Sequence, residues 1–259
     1  MVATEPLRRL AERYSVPITW LVESHRDIRE RNIPQLFPDM LHYLLSAEQD
    51  EVGAHIHWAR DDQLRLRYPV EDREWVTQMV AHSRDQLGQF GVVGRSFRGG
   101  AFIYVPGLAS VLARTGYRYD STVLRGRCRP NEWGGSAWKL WASWSRRFPG
   151  RPRRPYCPDH ENVLVRGESQ IIELPAYLNP LDSGAGTHVI AQARACPSTP
   201  MVLFLHICEL TCVDSGPDSN AELDRTMLAR LERLFNALAD LGTSFCTMSS
   251  LGAALTVCK

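Results

Sequence analysis

Short apolar runs alternate with longer amphipathic segments along this chain. The apolar runs predict strands at residues 17–22, 51–57, 96–102, 117–123, 170–176, 201–206 and 244–248. Apolar residues that recur every three or four positions predict helices at residues 6–14, 34–46, 70–90, 106–115 and 220–241. Strands separated by helices of this length are typical of an α/β fold whose strands are mostly parallel.

The composition is that of a folded protein with nearly balanced charge. Its 259 residues carry 30 lysines and arginines against 29 aspartates and glutamates, which gives a net charge of +1. No apolar run is long enough for a transmembrane helix, and Glu5, Arg8 and Arg9 interrupt the apolar core that a signal peptide needs. We therefore predict one domain over residues 1–259 in the cytoplasm, and the charge balance argues against a nucleic-acid-binding protein.

The cysteines give no metal-binding pattern. There are seven, an odd number, and their spacing is irregular. Cys208 and Cys212 are four residues apart, which matches neither a zinc ribbon nor a zinc finger. This usage favours reduced thiols.

One segment departs from the average composition. Residues 125–154 contain nine basic side chains and one acidic side chain, together with four of the seven tryptophans. We interpret residues 125–160 as a basic, tryptophan-rich insertion that carries Trp138, Trp141 and Arg146 as candidate substrate-binding residues. Such a segment suits an anionic or lipid-linked sugar and peripheral contact with a membrane. The alternative is a solvated loop whose tryptophans cover the fold.

His55 and His57 are the first candidates for chemistry. Residues two apart on a strand share a face, so their imidazoles could bind one divalent metal. They lie where a predicted strand meets a loop, which is where parallel α/β folds hold ligands. Two unrelated, hydrogen-bonded histidines are the alternative.

His206 and Arg98 are the other candidates. His206 ends an apolar strand, a position typical of catalytic residues, although a hydrogen-bonded histidine at a strand end is the alternative. Arg98 precedes Gly99 and Gly100, and it could orient a carboxylate or belong to a structural ion pair. The chain contains no G-x-S-x-G, Walker or H-E-x-x-H motif.

Taken in order, these segments resemble the polysaccharide deacetylases, the NodB-homology group of carbohydrate esterase family 4. The resemblance covers residues 5–250. It is carried by six phrases in the family's order: SVPITWLV at 15–22, EVGAHIH at 51–57, SFRGGAF at 96–102, GYRYDSTV at 116–123, IIELP at 171–175 and LFLH at 203–206.

The resemblance implies a distorted (β/α) barrel that removes an N-acetyl or related acyl group from an amino sugar. It implies a divalent metal, zinc first and cobalt, manganese or nickel otherwise, held by His55, His57 and an aspartate. His206 would protonate the leaving amine, and Arg98 would hold an aspartate that acts as general base.

Two departures from the family pattern affect this expectation. The family's first strand carries paired aspartates, and here no aspartate precedes Asp27, so the barrel is predicted to lack that strand. The commonest motif spaces its histidines four apart, where this chain has Ala59, and the H-x-H form matches a subgroup. We expect little or no deacetylase activity from the chain as written. The alternatives are an inactive protein that binds a glycan or a membrane surface, and a fragment that does not fold stably.

Overall fold

The structure is a computed structural model, and it describes residues 2–61, 66–67, 69–125, 152–213 and 221–255. The helices of these residues are α1 (Thr4–Arg13), α2 (Ile33–Leu36), α3 (Pro38–Leu45), α4 (Arg73–Gln89), α5 (Leu108–Arg114), α6 (Ala185–Ala195), α7 (Arg225–Asp240) and α8 (Met248–Ala254). The strands are β1 (Thr19–Glu23), β2 (Glu51–Ile56), β3 (Arg60–Asp61), β4 (Leu66–Arg67), β5 (Ser96–Gly99), β6 (Tyr119–Asp120), β7 (Ile172–Glu173), β8 (Ala176–Leu178), β9 (Val202–Leu203), β10 (Thr211–Val213) and β11 (Ala221–Leu223). Trp138, Trp141 and Arg146 lie outside the described residues, so their predicted role stays a prediction.

The chain divides into two compact units. One comprises residues 1–18 and 177–246, and the other comprises residues 19–176 and 247–259. The predicted single domain over residues 1–259 is not tested by this division.

A five-stranded parallel sheet forms the centre of the larger unit, with the order β1-β2-β5-β6-β7. Its core contains fully buried apolar side chains from β2, α4, β5 and α5, among them Ile56, Met79, Phe97 and Leu112. Strand β1 lies at the edge of the sheet, and residues 2–18 contain α1 and no strand. The predicted α/β class with parallel strands is confirmed.

The smaller unit has its own apolar cluster. The buried cluster joins α6 and α7 to Tyr177 of β8. Its buried members are Tyr177, Val189, Ala193, Leu234 and Leu238. The paired strands β8 and β9 belong to this region, and so does the antiparallel pair β10–β11.

Most predicted elements are present, and the differences have local causes. The helix predicted at 34–46 is two helices, because a residue before proline disfavours helical backbone and Phe37 precedes Pro38 with φ −136° and ψ 60°. The helix predicted at 220–241 begins at Arg225, where the Asp224 side chain accepts hydrogen bonds from two backbone amides. The strand predicted at 244–248 is wrong, since Thr247 caps a helix instead.

The cysteine interpretation needs one correction. Cys157 forms a disulfide bond, so the prediction of reduced thiols is wrong at that position. An odd cysteine count and irregular spacing do not exclude a single pair, because pairing depends on spatial distance. Cys196, Cys208, Cys212 and Cys246 are free thiols, and Cys128 and Cys258 lie outside the described residues.

Among the helices of the described residues, none has the length and the apolar character that crossing a membrane requires.

Candidate functional site

Three polar side chains lie side by side near the carboxyl ends of neighbouring strands. In the parallel register, Glu23 of β1 pairs with His55 of β2, and His55 pairs with Arg98 of β5. Paired residues of parallel strands point to the same face of a sheet, so these side chains form one row. The carboxyl edge of a parallel sheet is the usual ligand-binding edge of α/β folds.

The two histidines are held in contact, as their spacing predicts. The rings of His55 and His57 lie edge to face, with centroids 4.7 Å apart. His55 Nδ1 lies 3.0 Å from the backbone oxygen of Arg98, and His57 Nδ1 lies 2.8 Å from Oε1 of Glu23. Because both partners only accept hydrogen bonds, each Nδ1 must donate, and in the neutral ring Nε2 then carries the lone pair.

Glu23 is anchored on two sides. Its Oε1 accepts the bond from His57 and lies 3.3 Å from a guanidinium nitrogen of Arg31. Burial raises the pKa of Glu23, but the hydrogen bond from His57 and the charges of His57 and Arg31 outweigh burial and hold that pKa below its ordinary value. The side chain therefore stays a carboxylate at neutral pH.

The histidine pair fits part of a divalent-metal site. Ligating histidines usually donate their other ring N–H to a carboxylate or a carbonyl oxygen, and both histidines do so here. His55 and His57 would hold the metal through Nε2. Over the part of the chain that the structure describes, no cluster of three or more histidine, cysteine, aspartate or glutamate side chains could hold a metal ion. The pair therefore supplies two of the three protein ligands that a catalytic zinc takes.

A glycine allows the close approach of His57 to β5. A Cβ atom on Gly100 would lie 2.5 Å from Cδ2 and 2.7 Å from Cγ of the His57 ring. No side chain fits there unless the imidazole moves, so the second glycine after Arg98 helps to place this ring.

Arg98 faces two buried carboxyl groups. Its Nε donates to the backbone oxygen of Ser121 at 3.1 Å, and a terminal nitrogen donates to the Ser121 hydroxyl at 3.0 Å. Burial lowers the pKa of Arg98 to about 10, and the charges of Asp120 and Glu173 oppose that shift. The predicted role of Arg98 in holding a general-base aspartate stays a prediction, and the described carboxyl groups that act on it are Asp120 and Glu173.

Asp120 and Glu173 form a fully buried acid pair at the ends of β6 and β7. Asp120 Oδ1 accepts from the backbone N–H and the hydroxyl of Thr122, and Glu173 Oε1 accepts from the backbone N–H of Val123 at 2.9 Å. Apart from the opposite carboxyl group, the second oxygen of each has no hydrogen-bond partner among the described residues. Burial raises the pKa of Asp120 to about 6, and burial together with the Asp120 charge raises the pKa of Glu173 well above its ordinary value. Burial of both groups therefore favours one proton shared between the two carboxyl groups over two negative charges.

His206 belongs to the smaller unit, where a carboxylate orients it. Its Nδ1 lies 3.2 Å from Oε1 of Glu209, and Oε2 of Glu209 accepts from the His206 backbone at 2.8 Å and from the Asn179 amide at 2.9 Å. Burial raises the pKa of Glu209, but its bonds to His206 and Asn179 and the charge of His206 outweigh burial and lower that pKa. The His206 side chain is 59% exposed, so its imidazole is accessible to a substrate.

His25 has a structural position beside this row. It is fully buried, its Nε2 lies 2.7 Å from the Ala59 backbone oxygen, and its Nδ1 accepts from the amides of Asp27 and Ile28. Burial lowers its pKa, so the ring stays neutral and connects the chain segments that follow β1 and β2. No spacing pattern in the sequence predicts this connection.

The sequence analysis assigned no role to the carboxyl groups at this edge. Glu23 ends an apolar strand in the same way as His206, and that signal could have identified it. Asp120 and Glu173 lie within two of the six family-like phrases, but their contact joins strands that are 53 residues apart in sequence. This contact becomes visible only when the structure shows that β6 and β7 are neighbours in the sheet.

Comparison with solved structures identifies the fold. A crystal structure described as that of a "putative polysaccharide deacetylase from Mycobacterium smegmatis" superposes with a TM-score of 0.61 at 16% identity, over 98% of this chain and 76% of that chain. A "putative polysaccharide deacetylase involved in o-antigen biosynthesis" from Bordetella bronchiseptica gives a TM-score of 0.46 at 11% identity, over 90% of this chain and 86% of that chain. No protein-family model and no curated protein matches the sequence.

The similarity to the Mycobacterium smegmatis structure defines the class of fold. The chain has the α/β fold of the polysaccharide deacetylase type, which is the fold class that the sequence phrases predict. At this level of identity, the activity is a matter of proposal.

Proposed function

We propose that this protein hydrolyses the amide bond of an N-acetylated or similarly acylated amino sugar, with a divalent metal at His55 and His57. The observation that carries the proposal is the anchored histidine pair at the carboxyl edge of a sheet of the deacetylase type. Zinc is the first expectation because it accepts two imidazole ligands and leaves positions for substrate. When bound, it supplies polarisation of the amide carbonyl and activation of a water molecule.

The chain's own residues would divide the remaining work. His55 and His57 bind the metal through Nε2, because their Nδ1 atoms are held by Arg98 and Glu23. His206, with its Nδ1 on Glu209, would donate a proton to the leaving amine from Nε2 when the ring is protonated. Arg98 and the buried acid pair would keep the loop after β5 in place beside the histidines.

Release of acetate from an N-acetylated chitooligosaccharide tests this function. We expect release that stops when a chelator removes the metal and returns when zinc is added. An exposed-histidine variant, His160→Ala, should release acetate at the rate of the parent protein. The sequence alone predicts little or no activity because no aspartate precedes Asp27, so a parent protein that releases no acetate would contradict the proposed hydrolysis.

The metal is tested separately by direct binding. The unaltered protein should bind zinc, and the double variant His55→Ala/His57→Ala should lose that binding because both imidazole ligands are removed. Equal zinc content in the double variant and the parent would place the metal elsewhere and contradict the proposal.

We further propose, from sequence alone, that the sugar is anionic or lipid-linked and is met at a membrane surface. The basis is the basic, tryptophan-rich segment, in which Trp138, Trp141 and Arg146 would bind the sugar and its charged group. Co-sedimentation with anionic liposomes should fall when arginines of residues 125–154 are changed to alanine. Unchanged co-sedimentation would remove the membrane contact from this proposal.

A further inference from the structure

We propose that Glu23 is a positioning residue that fixes the His57 imidazole with its proton on Nδ1, so that Nε2 presents its lone pair to a divalent cation. The part that concerns the cation rests on the proposed function, whereas the part that concerns the tautomer does not. Neither the family-like phrases nor the H-x-H pattern assigns this residue a role.

The contact between Glu23 and His57 connects two strands. Glu23 is the last residue of β1, and His57 follows the last residue of β2, the neighbouring parallel strand. Their hydrogen bond is 2.8 Å long, and the side chains are 17% and 30% exposed, respectively. Because a carboxylate cannot donate, the bond selects the tautomer that carries the proton on Nδ1.

Glu23 has a defined position of its own. Arg31 lies 3.3 Å from the same carboxylate oxygen, and the backbone of β1 pairs residue by residue with β2 from Thr19 to Glu23. The carboxylate is therefore placed before any ligand binds, which is what an orienting partner of a metal-binding histidine requires.

The ring of His57 is confined from two other directions. The His55 ring contacts it edge to face, with the ring centroids 4.7 Å apart. Gly100 lies so near that a Cβ atom there would be 2.5 Å from Cδ2 of the ring. With Nδ1 held by Glu23, the ring has little freedom to exchange its two nitrogens. Glu23 would therefore act through His57, and we assign it no direct bond to the cation.

Nuclear magnetic resonance of the metal-free protein tests the tautomer. At about pH 8, above the ordinary pKa of imidazole, long-range proton–nitrogen correlations distinguish the two neutral forms. We expect His57 protonated on Nδ1 in the parent protein and in Glu23→Gln, whose amide oxygen still accepts the bond. In Glu23→Leu, which removes the acceptor, the proton should shift toward Nε2.

Zinc affinity tests the consequence for the cation. Loss of an outer-shell partner typically weakens metal binding by about 10–100-fold, and we expect that loss for Glu23→Leu and a smaller loss for Glu23→Gln. Glu30→Leu, the same change at an exposed glutamate outside the site, is the matched control and should keep the parent affinity. Cobalt substituted for zinc should give the same coordination spectrum in Glu23→Gln as in the parent.

Each outcome decides the inference. It is overturned if His57 carries its proton on Nε2, or on both nitrogens, in the parent protein, or if Glu23→Leu leaves the tautomer or the zinc affinity unchanged. A cobalt spectrum that loses a ligand in Glu23→Gln would make Glu23 a direct ligand and also overturn it. If the parent protein binds no zinc, the proposed function fails, and the tautomer alone then decides the role of Glu23. The buried His25 ring, protonated on Nε2, reports whether each variant is folded.

Discussion

Replacing Glu173 by alanine is expected to destabilise the fold by about 3–5 kcal/mol, because it opens a cavity in the core and leaves a buried amide without its acceptor. The carboxyl group of Glu173 is fully buried, accepts from the Val123 amide and shares a proton with Asp120. Alanine would leave that amide without its acceptor and Asp120 without its carboxyl partner, besides opening a cavity. The free energy of unfolding from denaturant titration measures the effect.

Glu173→Gln is the matched control for this loss. Its amide oxygen can accept from Val123 and its amide nitrogen can donate to Asp120, so at about pH 4 we expect a change within about 1 kcal/mol. A glutamine variant as unstable as the alanine variant would contradict a protonated Glu173, because an ionised carboxylate cannot be replaced by a neutral amide without loss.

Asp120 and Glu173 should make the stability of the fold decrease as the pH rises. Folding raises the pKa of both carboxyl groups, that of Asp120 to about 6, so the folded form binds protons more tightly than the unfolded form. Their contribution to stability is complete below the unfolded values of about 4 and is lost as the pH rises through the folded values. Glu173→Gln has no proton to lose, so its stability relative to the parent should increase as the pH rises above the unfolded values of about 4.

His206→Ala is expected to slow acetate release by about 100- to 10,000-fold, the range that a positioned general acid contributes. The reason is chemical: a poor amine leaving group needs a proton as the carbon–nitrogen bond breaks. The change should lower kcat more than it alters KM, because proton donation acts in the transition state.

Two comparisons separate this role of His206 from a structural one. Because the side chain is 59% exposed, alanine should leave the free energy of unfolding and the zinc content unchanged. Glu209→Gln should also slow release, since it weakens the bond that orients the imidazole. Release by His206→Ala at the parent rate would contradict the assignment of His206 as general acid.

Sequence patterns predicted the α/β class, most elements and the proximity of His55 to His57, because these depend on local periodicity and on the two-residue repeat of a strand. The patterns did not reveal the partners of those residues. Glu23 reaches His57 across two strands that are far apart in sequence, and Asp120 reaches Glu173 across another such pair. Pro38 is a local signal for the break in the helix predicted at 34–46, but apolar periodicity continues through the break and the prediction followed the periodicity.

Gly100 gives a criterion for finding relatives of this protein. Because a Cβ atom at this position would overlap the His57 ring, a homologue with alanine or a larger residue there must hold the second imidazole elsewhere. Chains that keep H-x-H but replace this glycine would therefore share the sequence motif without the paired rings. Surveys of sequence collections should require the glycine together with both histidines and the strand-ending glutamate.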